Sequence, residues 1–245
     1  MSTIRAWSAL AVVAITLPAV AADLHVPGDH RTIQGAIDAA APHDTVIVAD
    51  GIWTGAGNVD LNYGGKAIVV RSANGPSNCI IDCNATPEHP ARGVNFVSGE
   101  TAAAVFEGFT IRNGATPPGA IADLFNGAAI LCNNGSSPTI RNCVCRDNHA
   151  GCWGGAICCT NASPTIVGCV LIDNLVDDDG GGLFAWGQSS PTVVNTLITG
   201  NHSLITAGGI ADFCFGNDFG FTLVNCTVTG NTAEWQGGGG QMFGS

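Results

Sequence analysis

The sequence predicts an all-β solenoid, one elongated tube of stacked coils closed at its amino end by a short helix. Three observations carry that expectation. Residues 127–148 (GAAILCNNGSSPTIRNCVCRDN), 154–174 (GGAICCTNASPTIVGCVLIDN) and 181–201 (GGLFAWGQSSPTVVNTLITGN) are close copies, with a weaker copy at 208–231 and a fifth beginning at Gly237. The copies close on Asn148, Asn174, Asn201 and Asn231, in steps of 26, 27 and 30 residues, and a period in that range marks a solenoid or a propeller. Within a copy the apolar residues alternate, as in Thr196-Leu197-Ile198 and Cys226-Thr227-Val228. Glycine pairs, Ser-Pro and Gly-Asn interrupt them every few residues, so each copy holds two or three short strands joined by tight turns. No helical period runs through the copies; the leucine spacing of leucine-rich units is absent, and the glycine load is too high for helical repeats.

Such a unit satisfies its backbone only by stacking on the next, with parallel strands about 4.8 Å apart and equivalent side chains piled into files. The register sends three files inward: Phe109, Cys143, Cys169, Thr196, Cys226; then Ile111, Cys145, Leu171, Ile198, Val228; then Ile140, Ile166, Val193, Leu223. Asn142, Gly168, Asn195 and Asn225 occupy a turn between them. The closing file of Asn148, Asn174, Asn201 and Asn231 suits asparagine, whose amide can bond its own turn and the next coil and which tolerates left-handed backbone.

These GGAI-like and SPTIxNCxIxxN-like segments resemble the right-handed parallel β-helix repeats of secreted bacterial proteins with a pectin-lyase-like fold. They are also similar to repeats related to chlamydial polymorphic outer membrane proteins, which carry GGA[I/L/V] and FxxN. Here the second element reads CRDN at 145–148, LIDN at 171–174, ITGN at 198–201 and VTGN at 228–231, with Cys or an aliphatic residue in place of Phe. The resemblance spans residues 24–245 and implies a right-handed parallel β-helix. It implies no single activity, because that architecture hosts lyases, hydrolases, adhesins and phage tailspikes.

In chain order, residues 1–22 combine one Arg, an apolar run over 9–17 and an Ala-x-Ala ending at Ala21, the pattern of a secretory signal peptide. Residues 23–245 are then expected as one β-helix domain, secreted or held at a cell surface, since a solenoid has no second core to split off. No run is long and apolar enough for a transmembrane helix. A helix is expected after Thr32 as N-cap, with Ile33, Ala36, Ile37 and Ala40 on one face and Pro42 ending it. It resembles the cap that plugs the amino end of pectin-lyase-like β-helices, with His43 where that family carries glycine. Less regular coils follow over 66–113, and residues 114–126 lengthen one unit into a loop, where solenoids carry specificity. Residues 237–245 begin a unit without completing it, so the chain is expected to be truncated there, with a last coil prone to end-to-end association.

Only 11% of residues are charged and the net charge is −11, which offers no basic stripe for nucleic acid or anionic lipid. Eleven cysteines in an exported chain suggest disulfides. Yet Cys143, Cys145, Cys169 and Cys226 stand in inward files as small hydrophobes, and in-register parallel neighbours suit a disulfide poorly. Cys132, Cys152, Cys158 and Cys159 leave room for one bridge; no zinc spacing occurs.

The candidate chemistry is sparse. Arg112 and Arg146 hold equivalent outward positions, and Asp177, Asp178 and Asp179 form an acidic turn. The resemblance to β-helix lyases makes Arg112 and Arg146 catalytic candidates, and the three aspartates candidate ligands for Ca²⁺, the one cofactor in view. The plainer reading of the same aspartates, and the favoured one, is a solvated turn ahead of the next Gly-rich strand. Trp153, Trp186 and Trp235 recur around the Gly-rich turns and are candidates for stacking on sugar rings, or for packing at corners. His149 and His202 share a file two coils apart, too far for one metal. Two functions follow: a non-catalytic surface, adhesin-like or glycan-binding module with an extracellular polysaccharide as partner, or a lyase or hydrolase acting on acidic polysaccharide.

Overall fold

The computed structural model describes residues 20–119, 126–216 and 220–242. Most of the signal-peptide segment and residues 120–125 of the long loop lie outside the described residues. Described strands assemble into four parallel sheets, which one coil visits in turn. In the coil that starts at Thr139, sheet I takes Thr139–Arg141, sheet II Val144–Arg146, sheet III His149–Ala150 and sheet IV Ile157–Thr160. Sheet I has eight strands, sheets II and IV seven each, and sheet III four. The chain is therefore the all-β parallel solenoid expected from the repeat.

Its amino end is covered by the helix Ile33–Ala39. Thr32 is extended at φ −131°, and its Oγ1 accepts the Gly35 N–H at 3.2 Å, which satisfies one of the donors a helix start leaves open. Ile33, Ala36, Ile37 and Ala40 are buried against the first coils. Lys66, the sole lysine, closes the other end by donating Nζ to the carbonyls of Ile37, Asp38 and Ala40 at 2.9, 2.8 and 3.0 Å, a cation where the helix dipole is negative. His43 adopts left-handed backbone at φ 77°. The turn that the related repeats make with glycine is thus kept, at a cost of about 1–2 kcal/mol for a residue with a Cβ.

Strict register puts like positions over one another. Phe106, Ile140, Ile166, Val193 and Leu223 align in sheet I, and Ile111, Cys145, Leu171, Ile198 and Val228 in sheet II. Phe109, Cys143, Cys169 and Thr196 fill the corner between these sheets and are buried, while Cys226 on the last coil is half-buried. That corner turns through Asn142, Gly168, Asn195 and Asn225, all left-handed at φ 54°, 63°, 50° and 53°.

The closing asparagines are not left-handed, which corrects one part of the sequence expectation. The residue before each one makes the turn: Asp147, Asp173, Gly200 and Gly230, at φ 57°, 54°, 67° and 64°. Each asparagine side chain instead points inward, where Nδ2 of Asn148, Asn174 and Asn201 donates to Oδ1 of the asparagine one coil on, at 2.8, 2.8 and 2.9 Å. All four are at most 9% exposed, so this ladder satisfies amides that burial would otherwise penalise. The ladder begins on Gly114, whose N–H donates to Asn148 Oδ1 at 2.9 Å, while Asn113 bonds the Asp147 carbonyl one position earlier. Only glycine fits there: a Cβ would lie 2.1 Å from the Ala128 carbonyl oxygen.

All eleven cysteines are free, and ten are buried, so the bridge entertained among Cys132, Cys152, Cys158 and Cys159 is not made. Cys132 and Cys159 are register neighbours facing the tube interior, whereas Cys158 faces out. Burial raises the thiols of Cys79, Cys152 and Cys214 from the ordinary 9.0 to about 12, and nearby aspartates add to the shift. Folded thiols therefore hold their protons where unfolded ones release them, so this stability is intact below pH 9 and is lost as pH climbs from 9 towards 12. The urea midpoint is expected to be level in this respect up to about pH 8.5 and then to fall, by at most about 1.4 kcal/mol per pH unit per thiol. A midpoint unchanged between pH 8 and pH 10 would contradict this.

Candidate functional site

Sheet IV alternates like any strand set, and on two successive strands its outward positions carry aromatic rings. In Leu183–Gly187, Leu183 and Ala185 face the core, which leaves Phe184 and Trp186 outside; in Ile210–Cys214 the register places Phe213 beside Trp186. Trp153, on the corner between sheets III and IV, lays its ring across both Phe184 and Trp186, with centroids 4.8 and 5.1 Å away and planes within 9° and 14° of parallel. Phe213 continues the stack at 5.5 Å from Phe184, and Phe215 meets Trp186 edge-on at 4.9 Å. The rings grade from buried to open: Trp153 and Phe184 are covered, Trp186 and Phe213 half-buried, and Phe215 is 56% exposed. The result is an aromatic shelf fixed from beneath, each stacked pair adding about 0.5–1.5 kcal/mol beyond its buried area.

One edge of the shelf is acidic. Trp153, Asp179, Thr206 and Gln236 are bridged in one file along the corner. Asp179 accepts a hydrogen bond from the Thr206 hydroxyl. Asp178 lies beside both Asp179 and the Trp153 indole; burial first, then the Asp179 charge, raises its carboxyl above the usual carboxylate range. Burial likewise raises Asp179. Asp177 turns the other way, to His149 Nε2 at 2.7 Å. Asp177 is thus taken by His149 while Asp178 and Asp179 lie side by side, and among the described residues no group of three or more His, Cys, Asp or Glu is arranged to hold a metal ion.

The other candidates fall elsewhere. Arg112 and Arg146 are register neighbours on the outer face of sheet II. Arg112 reaches Asp82 through Nε and a terminal nitrogen at 2.9 and 2.8 Å, and Arg146 contacts Asp147. The structure brings neither to the aspartates of the corner between sheets III and IV. Trp235 donates its backbone N–H to the Ile205 carbonyl, is 78% exposed, and makes no ring contact among the described residues, so it stands apart from Trp153 and Trp186. Phe184, Phe213 and Phe215 were missed in the sequence; the alternation within LFAWG at 183–187 was the signal for the first. A separate cleft of about 240 Å³ is lined by Asp60, Arg92, Thr116 and Pro117 beside the long loop.

The family model of the right-handed β-helix region matches residues 50–245. No protein of curated function matches the sequence. Among solved structures, a pectin methylesterase from carrot is similar at 13% identity over 94% of this chain and 90% of that one, with a TM-score of 0.32.

Proposed function

We propose a function from a plain premise, that this chain belongs to the right-handed β-helix family: it is an exported, non-catalytic module that binds glycan on the outer face of sheet IV. The observation that supports this is the aromatic shelf. Large rings held flat by stacking present rigid apolar faces at small entropic cost, and the C–H faces of pyranose rings pack on such surfaces. Phe215, 56% exposed, together with the part of half-buried Trp186 that its stacking partners Trp153 and Phe213 leave open, offers that surface. The lyase or hydrolase alternative calls for arginine and carboxylates facing one another across a cleft. Here Arg112 and Arg146 are paired on sheet II and the aspartates lie at another corner.

The test is retention of the full chain on a panel of immobilised neutral, amino and acidic polysaccharides. Trp186→Ala is expected to weaken binding by about 10-fold or more, the effect of losing roughly 1.5 kcal/mol of ring contact. Equal retention of both proteins on every polysaccharide would remove the shelf from the mechanism, and release of unsaturated uronate products would overturn the non-catalytic assignment.

A further inference from the structure

We infer that this chain has a second binding site, a carboxylate pocket at the corner between sheets I and II where Arg71 and Ser72 present unused donors. It stands apart from the aromatic shelf on sheet IV. In later coils that corner is short: only 108–109 lie between Val105–Glu107 and Thr110–Arg112, and only 142–143 between Thr139–Arg141 and Val144–Arg146. One coil earlier a longer segment, 73–78, separates Val69–Ser72 from Cys79–Asp82. An insertion into a repeat becomes a loop on one face, and such loops carry binding. Here the loop and the next two corners border a cleft of about 230 Å³, whose wall includes Arg71, Ser72, Gly75, Glu107, Gly108 and Asn142.

The chemistry of that wall selects the ligand. Arg112, Arg141 and Arg146 each hold a carboxylate, whereas Arg71 has none among the described residues and donates to the Ser72 carbonyl at 3.3 Å. Ser72 is 6% exposed; its Oγ accepts the Gly75 N–H at 3.0 Å, and no described group accepts its own hydrogen. A buried hydroxyl with an idle donor carries a cost that a ligand oxygen would remove. Glycine at 108 keeps the space beside it open, since a Cβ there would lie 2.5 Å from Ser72 Oγ. Glu107, the acid in the wall, is already engaged by Arg141 at 2.7 Å and by Asn142 Nδ2 at 3.4 Å. Asp50, which binds the loop through Asn74 Nδ2 at 3.1 Å, does not line the cleft. Arg71 and Arg141 against Glu107 leave one positive charge, which matches a monoanion and opposes a dianion. A planar carboxylate meets the guanidinium fork along one edge and keeps lone pairs for the hydroxyl.

Nuclear magnetic resonance on the nitrogen-labelled full chain, titrated with sodium acetate at about pH 7 and constant ionic strength, tests this; acetate is a monoanion there. One arginine Nε–H resonance, the one missing from Arg71→Gln, is expected to shift and to saturate with a Kd on the order of 1 mM. The backbone amides of Gly75 and Gly108 should move with it. Followed at those two amides, Arg71→Gln is expected to weaken binding by about 10-fold or more, the scale of one charge-assisted contact, and Ser72→Ala by about fivefold. Arg71→Lys keeps the charge without the fork and should recover only part of the affinity. A shift that never saturates, an equal shift at every arginine, tighter binding of sulfate than of acetate, or unchanged affinity in Arg71→Gln overturns the assignment. The first three outcomes are read on the unaltered protein, so they do not depend on how a variant folds. All four leave the shelf on sheet IV untouched.

Discussion

Asn174→Ala is expected to lower the free energy of unfolding by about 3–5 kcal/mol, among the largest effects available to a single substitution in this chain. Asn174 is 1% exposed and no part of its amide is idle. Its Nδ2 donates to Asn201 Oδ1 at 2.8 Å and to the carbonyls of Cys145 and Ile172, both at 3.0 Å. Its Oδ1 accepts both Nδ2 and the backbone N–H of Asn148 at 2.8 and 3.2 Å. Alanine leaves two donors of Asn148 without their acceptor and takes one donor from each of the Cys145 and Ile172 carbonyls, at about 1–3 kcal/mol for each group left unpaired where water cannot reach. The loss falls between coils, so it weakens the stack on both sides of the substitution. Urea denaturation measures it; a loss below about 1 kcal/mol would show that water enters the ladder freely and that these asparagines do not hold the coils together.

Gly155→Ala is expected to be destabilising by about 3 kcal/mol, at the upper end of what overpacking does. The cause is not backbone conformation, since Gly155 is not left-handed. A Cβ there would sit 2.3 Å from the Gly181 carbonyl oxygen and 2.7 Å from that of Leu175. Both are backbone atoms of the next coil and neither can rotate away, so one methyl group has to separate two coils along a line of hydrogen bonds. Gly239→Ala is the matched control: a Cβ there meets nothing within 4 Å, and its effect should stay within about 0.5 kcal/mol. Similar thermal midpoints for the two variants would sink the explanation.

The files of the tube could be read in the sequence because parallel stacking converts a constant step along the chain into vertical neighbours. Asn148 over Asn174 is that arithmetic and nothing more. The same arithmetic explains what the sequence hid. Arg146 stands over Ile172, and by the time the chain reaches Asp177 it has turned a further corner. Closeness in sequence therefore suggested a shared surface that the turns at Asp147 and Asp173 take apart. Trp153 and Trp186 occupy different files, the first over Asp179 and the second over Thr160. They meet only because the Trp153 ring crosses from its corner onto the strand, a side-chain direction that no spacing rule contains. Asn113 and Gly114 show the limit at smaller scale: the position beneath Asn148 is held by the glycine and not by the asparagine beside it.

The asparagine ladder also bears on how such a tube changes length. Each rung joins a side chain to its own kind, donor always toward the following coil, so excising residues 175–201 would bring Asn174 to face Asn231 with the same atoms in the same order. Duplicating that segment would insert one more identical rung. Size in this chain is accordingly a matter of copy number, and lineages can grow or shorten it by unequal exchange of whole repeats without redesigning a single junction.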